Sequence, residues 1–244
     1  MKPTASAIRS FTETFKRAGS LERAEQEKRY LKSELKFFGA PLPVIRKSIK
    51  DYCALHPDMT RDDLLRLVSA LWETEHHELR SVGIGLLERR CDLLKVTDMR
   101  FVEELLRRSQ TWAYVDWLAT KVAGALVLEH PGAKRYLPRW SRDRYMWVRR
   151  AAMLTLLPSL KRDGADFPMF SRFASSMIEE PEFFIRKAIG WILREVGKKR
   201  PVETSRFLNA HIDKVSGLTL REGCKYLPPA DRAALLKRYQ TRRG

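Results

Sequence analysis

Cysteine is scarce in this chain of 244 residues: Cys53, Cys91 and Cys224 stand far apart. An odd number and the lack of any Cys-x-x-Cys pair exclude a disulfide framework and a zinc ribbon. They point instead to a reducing compartment. Long apolar runs are also missing. No stretch approaches the ~20 residues that span a bilayer, and none follows the opening Met-Lys-Pro-Thr-Ala-Ser. Neither a membrane helix nor a secretory signal is therefore expected, and the location read from this is cytoplasmic. No run of alternating β-branched residues occurs, and no Asn-Gly or Asp-Gly hairpin signal joins such runs. No linker rich in glycine, serine or proline divides the chain, so one domain over 1–244 is expected. Within it, 1–20 supplies an N-terminal helix and 226–244 a C-terminal helix with a basic tail.

Acidic residues are outnumbered. Lys plus Arg total 47 against 30 Asp plus Glu, a formal charge of +17. An excess of that size in a folded chain without a low-complexity tail attracts polyanions, nucleic acid first. With 44% hydrophobic residues the chain can bury a core.

What fills the chain is helical pattern. Apolar residues recur at helical spacing between short breaks such as Gly39-Ala-Pro-Leu-Pro43, His56-Pro-Asp58, His130-Pro-Gly132, Pro158, Glu180-Pro181 and Pro228-Pro229. The predicted helices cover 4–18, 20–37, 42–55, 60–74, 76–93, 97–109, 111–129, 132–141, 144–160, 167–178, 181–199, 202–215, 218–225 and 229–240. Four of them open on a shared phrase: Glu78-Leu-Arg-Ser-Val-Gly83, Tyr114-Val-Asp-Trp-Leu-Ala119, Trp147-Val-Arg-Arg-Ala-Ala152 and Phe184-Ile-Arg-Lys-Ala-Ile189. The anchors Leu79, Val115, Val148 and Ile185 are spaced 36, 33 and 37 residues apart. An apolar anchor, then Arg, then small residues, each preceded by a shorter helix, is the pattern of HEAT-like pairs that stack on one another. The expected fold class is all-α, a right-handed α-α superhelix (solenoid) of HEAT-like repeats. An irregular helical bundle is the alternative.

Basic residues ride on this frame. They include Lys28, Lys32, Arg46, Arg149, Arg150, Arg186, Lys187 and Arg194. A curved face carrying them suits a DNA duplex, whose charge is regularly spaced. Some of the repeat arginines, Arg80, Arg149 and Arg186, are equally suited to pairing with an acid on a neighbouring repeat.

One helix is chemically odd. Trp112 and Asp116 lie one turn apart on one face, with Thr111 as N-cap, while Trp117 points elsewhere. The next repeats offer Arg149 and Arg150, then Lys187 and Trp191. Aromatic faces attract cations. A carboxylate stabilises a developing positive sugar or orients water, and a guanidinium holds a phosphate. Such a set fits a cationic nucleobase with a weakened bond to its sugar. The bland reading makes Trp112 a core residue and Asp116 half of a surface ion pair. Other features read as structural. His76-His77-Glu78 is a solvated helix start rather than a metal site. Cys91 packs at a helix end. Trp72, Trp117, Trp140 and Trp147 fill the core, Lys198-Lys199-Arg200 ends a helix, and the tail beyond Lys237 is charged.

The sequence resembles the AlkD-like DNA alkylation repair proteins, HEAT-like-repeat alkylpurine DNA glycosylases. The resemblance covers roughly 20–225. It is carried by Lys28-Arg-Tyr-Leu-Lys32, by Phe37-Phe-Gly-Ala-Pro-Leu-Pro43 with Arg46 following, by Trp112-x-x-Val-Asp116 taken with its neighbours, by Trp147-x-x-Arg-Ala-Ala152, and by Phe183-Phe-Ile-Arg-Lys-Ala-Ile-Gly-Trp-Ile-Leu-Arg-Glu195. It implies that Asp116 is the catalytic carboxylate and that Trp112 and Trp191 pack around the lesion nucleotide. It makes Arg150, directly before the Ala-Ala pair, the arginine of the site, and sets Tyr30 near the DNA. It implies hydrolysis of the N-glycosidic bond of N3- and N7-alkylated purines in duplex DNA. It implies no metal or cofactor and no base-flipping pocket; no helix-hairpin-helix glycine turn is present either. The expected partner is duplex DNA containing alkylated bases, with no membrane, and the expected state is a monomer. Departures from the family are Arg149 beside Arg150 and the pair Ala113-Tyr114. The repeat register also aligns Asp116 with Arg149, not Arg150. A non-catalytic basic scaffold that binds DNA, structured nucleic acid or an acidic protein is the competing function.

Overall fold

The computed structural model describes residues 3–242, and among them every regular element is a helix. There is no strand, only an isolated parallel bridge between Lys36 and His76. No helix of the described residues is long and apolar enough to cross a membrane. The chain divides into two compact units, Met1–Val122 and Ala123–Gly244. The sequence shows no linker there, and the division falls inside continuous helical backbone.

The first unit holds α1 (Pro3–Ala18), α2 (Leu21–Leu31), α3 (Leu42–Leu55), α4 (Arg61–Trp72), α5 (His77–Arg89), α6 (Met99–Arg108) and α7 (Trp112–Trp117). Short 3₁₀ turns at Cys91–Leu93 and Val96–Asp98 join α5 to α6. The starts are written in the sequence. Ser20 accepts from the Arg23 N–H, and Thr60 forms a capping box with Asp63. Thr111 accepts from the Ala113 N–H at 3.4 Å, as its N-cap position requires. The core is apolar and dense: Phe15, Leu64, Val68, Leu71, Trp72, Val82, Leu86 and Val115 are fully buried.

The predicted helix over 20–37 ends early. Lys32 adopts a left-handed conformation at φ 48°, and the next N–H, of Ser33, returns to the Lys28 carbonyl at 3.2 Å. This closure caps the helix and frees the chain to run on as an extended segment. That segment carries Phe37 and Phe38 onto His77 and His76, with ring centroids 4.7 and 4.2 Å apart. The aromatic pair, not helical propensity, decides the local course.

The second unit holds α8 (Gly124–Glu129), α9 (Leu137–Trp140), α10 (Met146–Leu154), α11 (Leu157–Arg162), α12 (Phe167–Ser176), α13 (Phe183–Gly197), α14 (Pro201–Ala210), α15 (Gly217–Gly223) and α16 (Pro229–Thr241). A 3₁₀ segment, Pro131–Tyr136, leads into α9. The single helix expected over 144–160 is broken at Thr155-Leu156, because Pro158 has no N–H to give and starts α11 afresh. Helix α13 is the central element here and packs against α10, α14 and α15.

The repeat anchors behave alike. Leu79 is 2% exposed, and Val115, Val148 and Ile185 are fully buried. The residue after each anchor explains the phrase. Arg80 Nε donates to the Thr74 carbonyl at 2.9 Å, Arg149 Nη1 to the Asp143 carbonyl at 2.8 Å, and Arg186 Nε to the Glu180 carbonyl at 2.8 Å. Each reaches back six residues and closes the turn that feeds its helix. Arg149 adds ion pairs to Glu180 at 2.8 Å and Glu182 at 3.2 Å.

Loss of this strut strands carbonyls that a charged donor had satisfied. Arg149→Ala is expected to lower stability by about 1–3 kcal/mol, read as the midpoint of urea unfolding. Arg149→Lys is expected to restore only part, because an ammonium lacks the planar fork. An unchanged midpoint in the alanine variant contradicts the strut.

Candidate active site and nucleic-acid interface

The residue that follows the buried anchor is not the same in all four repeat helices. Where three have the strut arginine, α7 has Asp116. A carboxylate has no N–H to give, so it cannot close the turn at Gln110 as the arginines close theirs. Asp116 is half-buried, and its backbone carbonyl accepts from Thr120 Oγ1 at 2.6 Å. Immediately after α7 the helix widens into a π-helical stretch, Leu118–Ala123. Insertions of this kind cluster at functional sites because they re-aim side chains. Nothing in the apolar spacing announced it.

Trp112 is half-buried one turn before Asp116. Tyr30, at the end of α2 and 72% exposed, meets its ring edge-on with centroids 5.8 Å apart. The sequence had placed these two residues in separate motifs; the first unit puts them together. Trp117 leaves the group, donating its indole N–H to Glu88 at 2.6 Å. It is half-buried, while Trp72 and Trp140 are fully buried and Trp147 nearly so. Lys32 and Arg46 are exposed on the same unit, on the α2 end and on α3.

Behind Trp112 lies a support that the sequence did not reveal. Tyr114 is buried and stacks on His77 at 4.9 Å, and His77 stacks on Phe37. The Tyr114 hydroxyl lies 2.8 Å from His77 Nδ1 and 2.9 Å from the His77 carbonyl. Next to it Glu78 is fully buried, and its Oε1 accepts the N–H groups of Gly39 at 2.7 Å and Ala40 at 3.2 Å. Burial raises the pKa of this carboxyl. The His76-His77-Glu78 triplet is therefore not a solvated helix start: it fixes the Phe37–Ala40 segment beneath α7. Among the described residues no group of three or more His, Cys, Asp or Glu is placed to hold a metal ion.

In the second unit the candidate residues fall into two kinds. Arg150 is 3% exposed. Its guanidinium donates to the Phe184 carbonyl and lies over the Phe184 ring, 5.8 Å from the centroid. It thus ties α10 to the start of α13, which the site role read from the resemblance did not anticipate. Arg149 serves the frame, with a side chain 13% exposed and paired to acids ahead of the next repeat helix, which is the structural alternative for the repeat arginines and not the DNA contact. Arg194 is paired with Glu222, against the expectation that it reaches DNA. Lys187 is exposed, with its ammonium 5.5 Å from the centre of the Phe183 ring. Trp191 is half-buried one turn further along α13, so Phe183, Lys187 and Trp191 share a face. Arg186 spends only its Nε on the strut.

Burial, and then the nearby Arg80 charge, lowers the His77 pKa to about 4. The unfolded imidazole titrates near 6.5. The unfolded chain therefore takes up the proton first, and the neutral ring's contribution is complete above about 6.5 and lost as pH falls through about 4. His77→Phe keeps a ring in the stack and is expected to flatten the melting temperature between those pH values. An acid limb identical to wild type contradicts this.

The chain matches the sequence profile of a family described as DNA alkylation repair enzyme over residues 11–227. Among solved structures, a predicted DNA alkylation repair enzyme from Enterococcus faecalis superposes with a TM-score of 0.76 at 24% identity, over 86% of this chain and 97% of that one. AlkD2 from Streptococcus mutans gives 0.59 at 13%, over 75% and 90%. The smu.31 protein from Streptococcus mutans UA159 gives 0.57 at 14%, over 75% and 98%. At these identities the likenesses establish the helical-repeat fold. No curated protein is significantly similar in sequence.

Proposed function

The chain belongs to the DNA alkylation repair enzyme family, and from that premise we propose that it is a DNA glycosylase. It hydrolyses the N-glycosidic bond of cationic N3- or N7-alkylated purines in duplex DNA. The observation that carries the reading is the substitution of a carboxylate for the strut arginine at position 116. A carboxylate cannot donate to the preceding turn as the arginines do, whereas it can stabilise the positive charge that builds as a cationic base leaves.

The chemistry is suited to one acid. Alkylation places a positive charge on the purine, so departure of the base takes the electron pair of the C1′–N bond and neutralises the ring. Positive charge then builds on the sugar. The Asp116 carboxylate stabilises that oxocarbenium-like centre, and water adds to C1′ and gives up a proton. Trp112, held at its outer edge by Tyr30, offers an indole face to the cationic nucleotide. On the second unit Trp191 and Lys187 contribute an aromatic and a basic contact to DNA. Arg150 acts through the Phe184 carbonyl as a positioning residue for the helix that carries them. Exposed Lys32 and Arg46 bind phosphates without sequence preference, and affinity falls steeply with salt.

Asp116→Asn is expected to cut single-turnover release of 7-methylguanine from methylated duplex by about 10²- to 10³-fold. Affinity for the duplex, read by fluorescence anisotropy, is expected to hold. Undiminished release by the asparagine variant removes Asp116 from the reaction. Binding without release by the wild type supports the non-catalytic scaffold.

A further inference from the structure

A second basic feature lies within the second unit, and the reading above does not use it. The starts of α13 and α15, the turn at 213–216 and the last helix enclose a hollow of about 640 Å³. Small-ligand sites run from about 300 to 1,000 Å³. Four cationic residues line it: Arg186, Lys214, Arg221 and Arg242. Two acids, Glu179 and Asp213, line it too. Glu179 is taken by Lys214 at 3.2 Å. Among the described residues, Arg186, Arg221 and Arg242 have no carboxylate within ion-pair distance. This sets them apart from Arg149, Arg194 and Arg200, each of which is paired.

The hollow is also built. Thr219 Oγ1 donates to the Arg186 carbonyl at 3.0 Å, tying the start of α15 to α13. Arg242 donates to the carbonyls of Ile212 and Val215, and its guanidinium lies 5.0 Å from the Tyr239 ring centre. Gly217 leaves the space that Arg221 uses: a Cβ there would stand 3.0 Å from Arg221 Nη1 and 3.2 Å from the Tyr239 hydroxyl. Pro181 and Phe183, which is 53% exposed, form a less polar wall. Tyr239 lies on α16 and Arg242 caps its end, both beyond residue 227 where the family match ends.

We propose that this hollow is a nucleotide-phosphate site. The Arg221 and Arg186 guanidiniums take the phosphoryl oxygens, Arg242 adds positive charge, and the attached ring rests on Phe183 and Pro181. The proposal is independent of the glycosylase reading, since no bond is made or broken here. The phosphoryl group comes either from a free mononucleotide or from the end of a DNA strand.

The test uses the full chain and two probes. The first is deoxyadenosine 5′-monophosphate, titrated calorimetrically. The second is a lesion-free duplex with or without 5′-phosphates, followed by anisotropy. Wild type is expected to bind the mononucleotide at one site, or to bind the 5′-phosphorylated duplex more tightly than the hydroxyl-ended one. The first result assigns a free nucleotide and the second a strand end. Arg221→Ala is expected to weaken the phosphate-dependent binding by roughly tenfold or more. Arg221→Lys should recover only part, and Lys225→Ala, exposed and away from the hollow, should change nothing. Melting curves establish that each variant folds. The proposal is overturned if neither probe shows phosphate-dependent binding. It is equally overturned if Lys225→Ala weakens that binding as much as Arg221→Ala.

Discussion

The structure depends on a guanidinium that reaches back six residues to a backbone carbonyl. Arg80, Arg149 and Arg186 each make this bond, at 2.8–2.9 Å, next to a buried apolar anchor. A helix entering a packed layer must satisfy the carbonyls of the turn before it, and a charged donor does so more strongly than a neutral one. The bond therefore fixes where each second helix begins. It also gives position 116 its meaning. At the equivalent site in α7 the chain carries the opposite charge, followed at once by a π-helical widening. A residue that departs from the rule of its own frame, in a basic family member, is where chemistry is to be sought.

Much of this was legible beforehand. The four phrases are spaced 36, 33 and 37 residues apart, and their anchors are the buried residues the pattern requires. Thr111 caps α7, and Trp72, Trp140 and Trp147 are core. The all-helical repeat fold and the family followed from the same residues. The errors have local causes. Helical spacing through Lys32 to Phe37 could not show that two aromatic–histidine stacks would pull that segment out of the helix. Pro158 marks the other break, since a residue without an N–H restarts a helix more readily than it continues one.

The site was harder to read, because charge alone does not say what a side chain is doing. Arg194 looks like a phosphate ligand in sequence and Arg149 reads equally as a phosphate ligand or an ion-pair partner, and both are held by glutamates. Arg150 is buried against Phe184. Glu78 resembles an ordinary acid at a helix start, but it sits fully buried and holds two backbone N–H groups. No periodicity marks such residues; their partners lie 28 or more positions away. The meeting of Tyr30 with Trp112 is of the same kind. What the sequence does mark is an acid one helical turn from a tryptophan in a very basic chain, and Asp116 stands out in that way.

The central claim is that a single carboxylate suffices because the leaving base is already a cation. The direct measurement places one cationic 7-methylguanine and one neutral hypoxanthine in otherwise identical duplexes and follows base release by the wild-type protein under single-turnover conditions. The account predicts release of the methylated base and none of the neutral one. Comparable release of hypoxanthine would mean that the protein activates the base itself, and would contradict it.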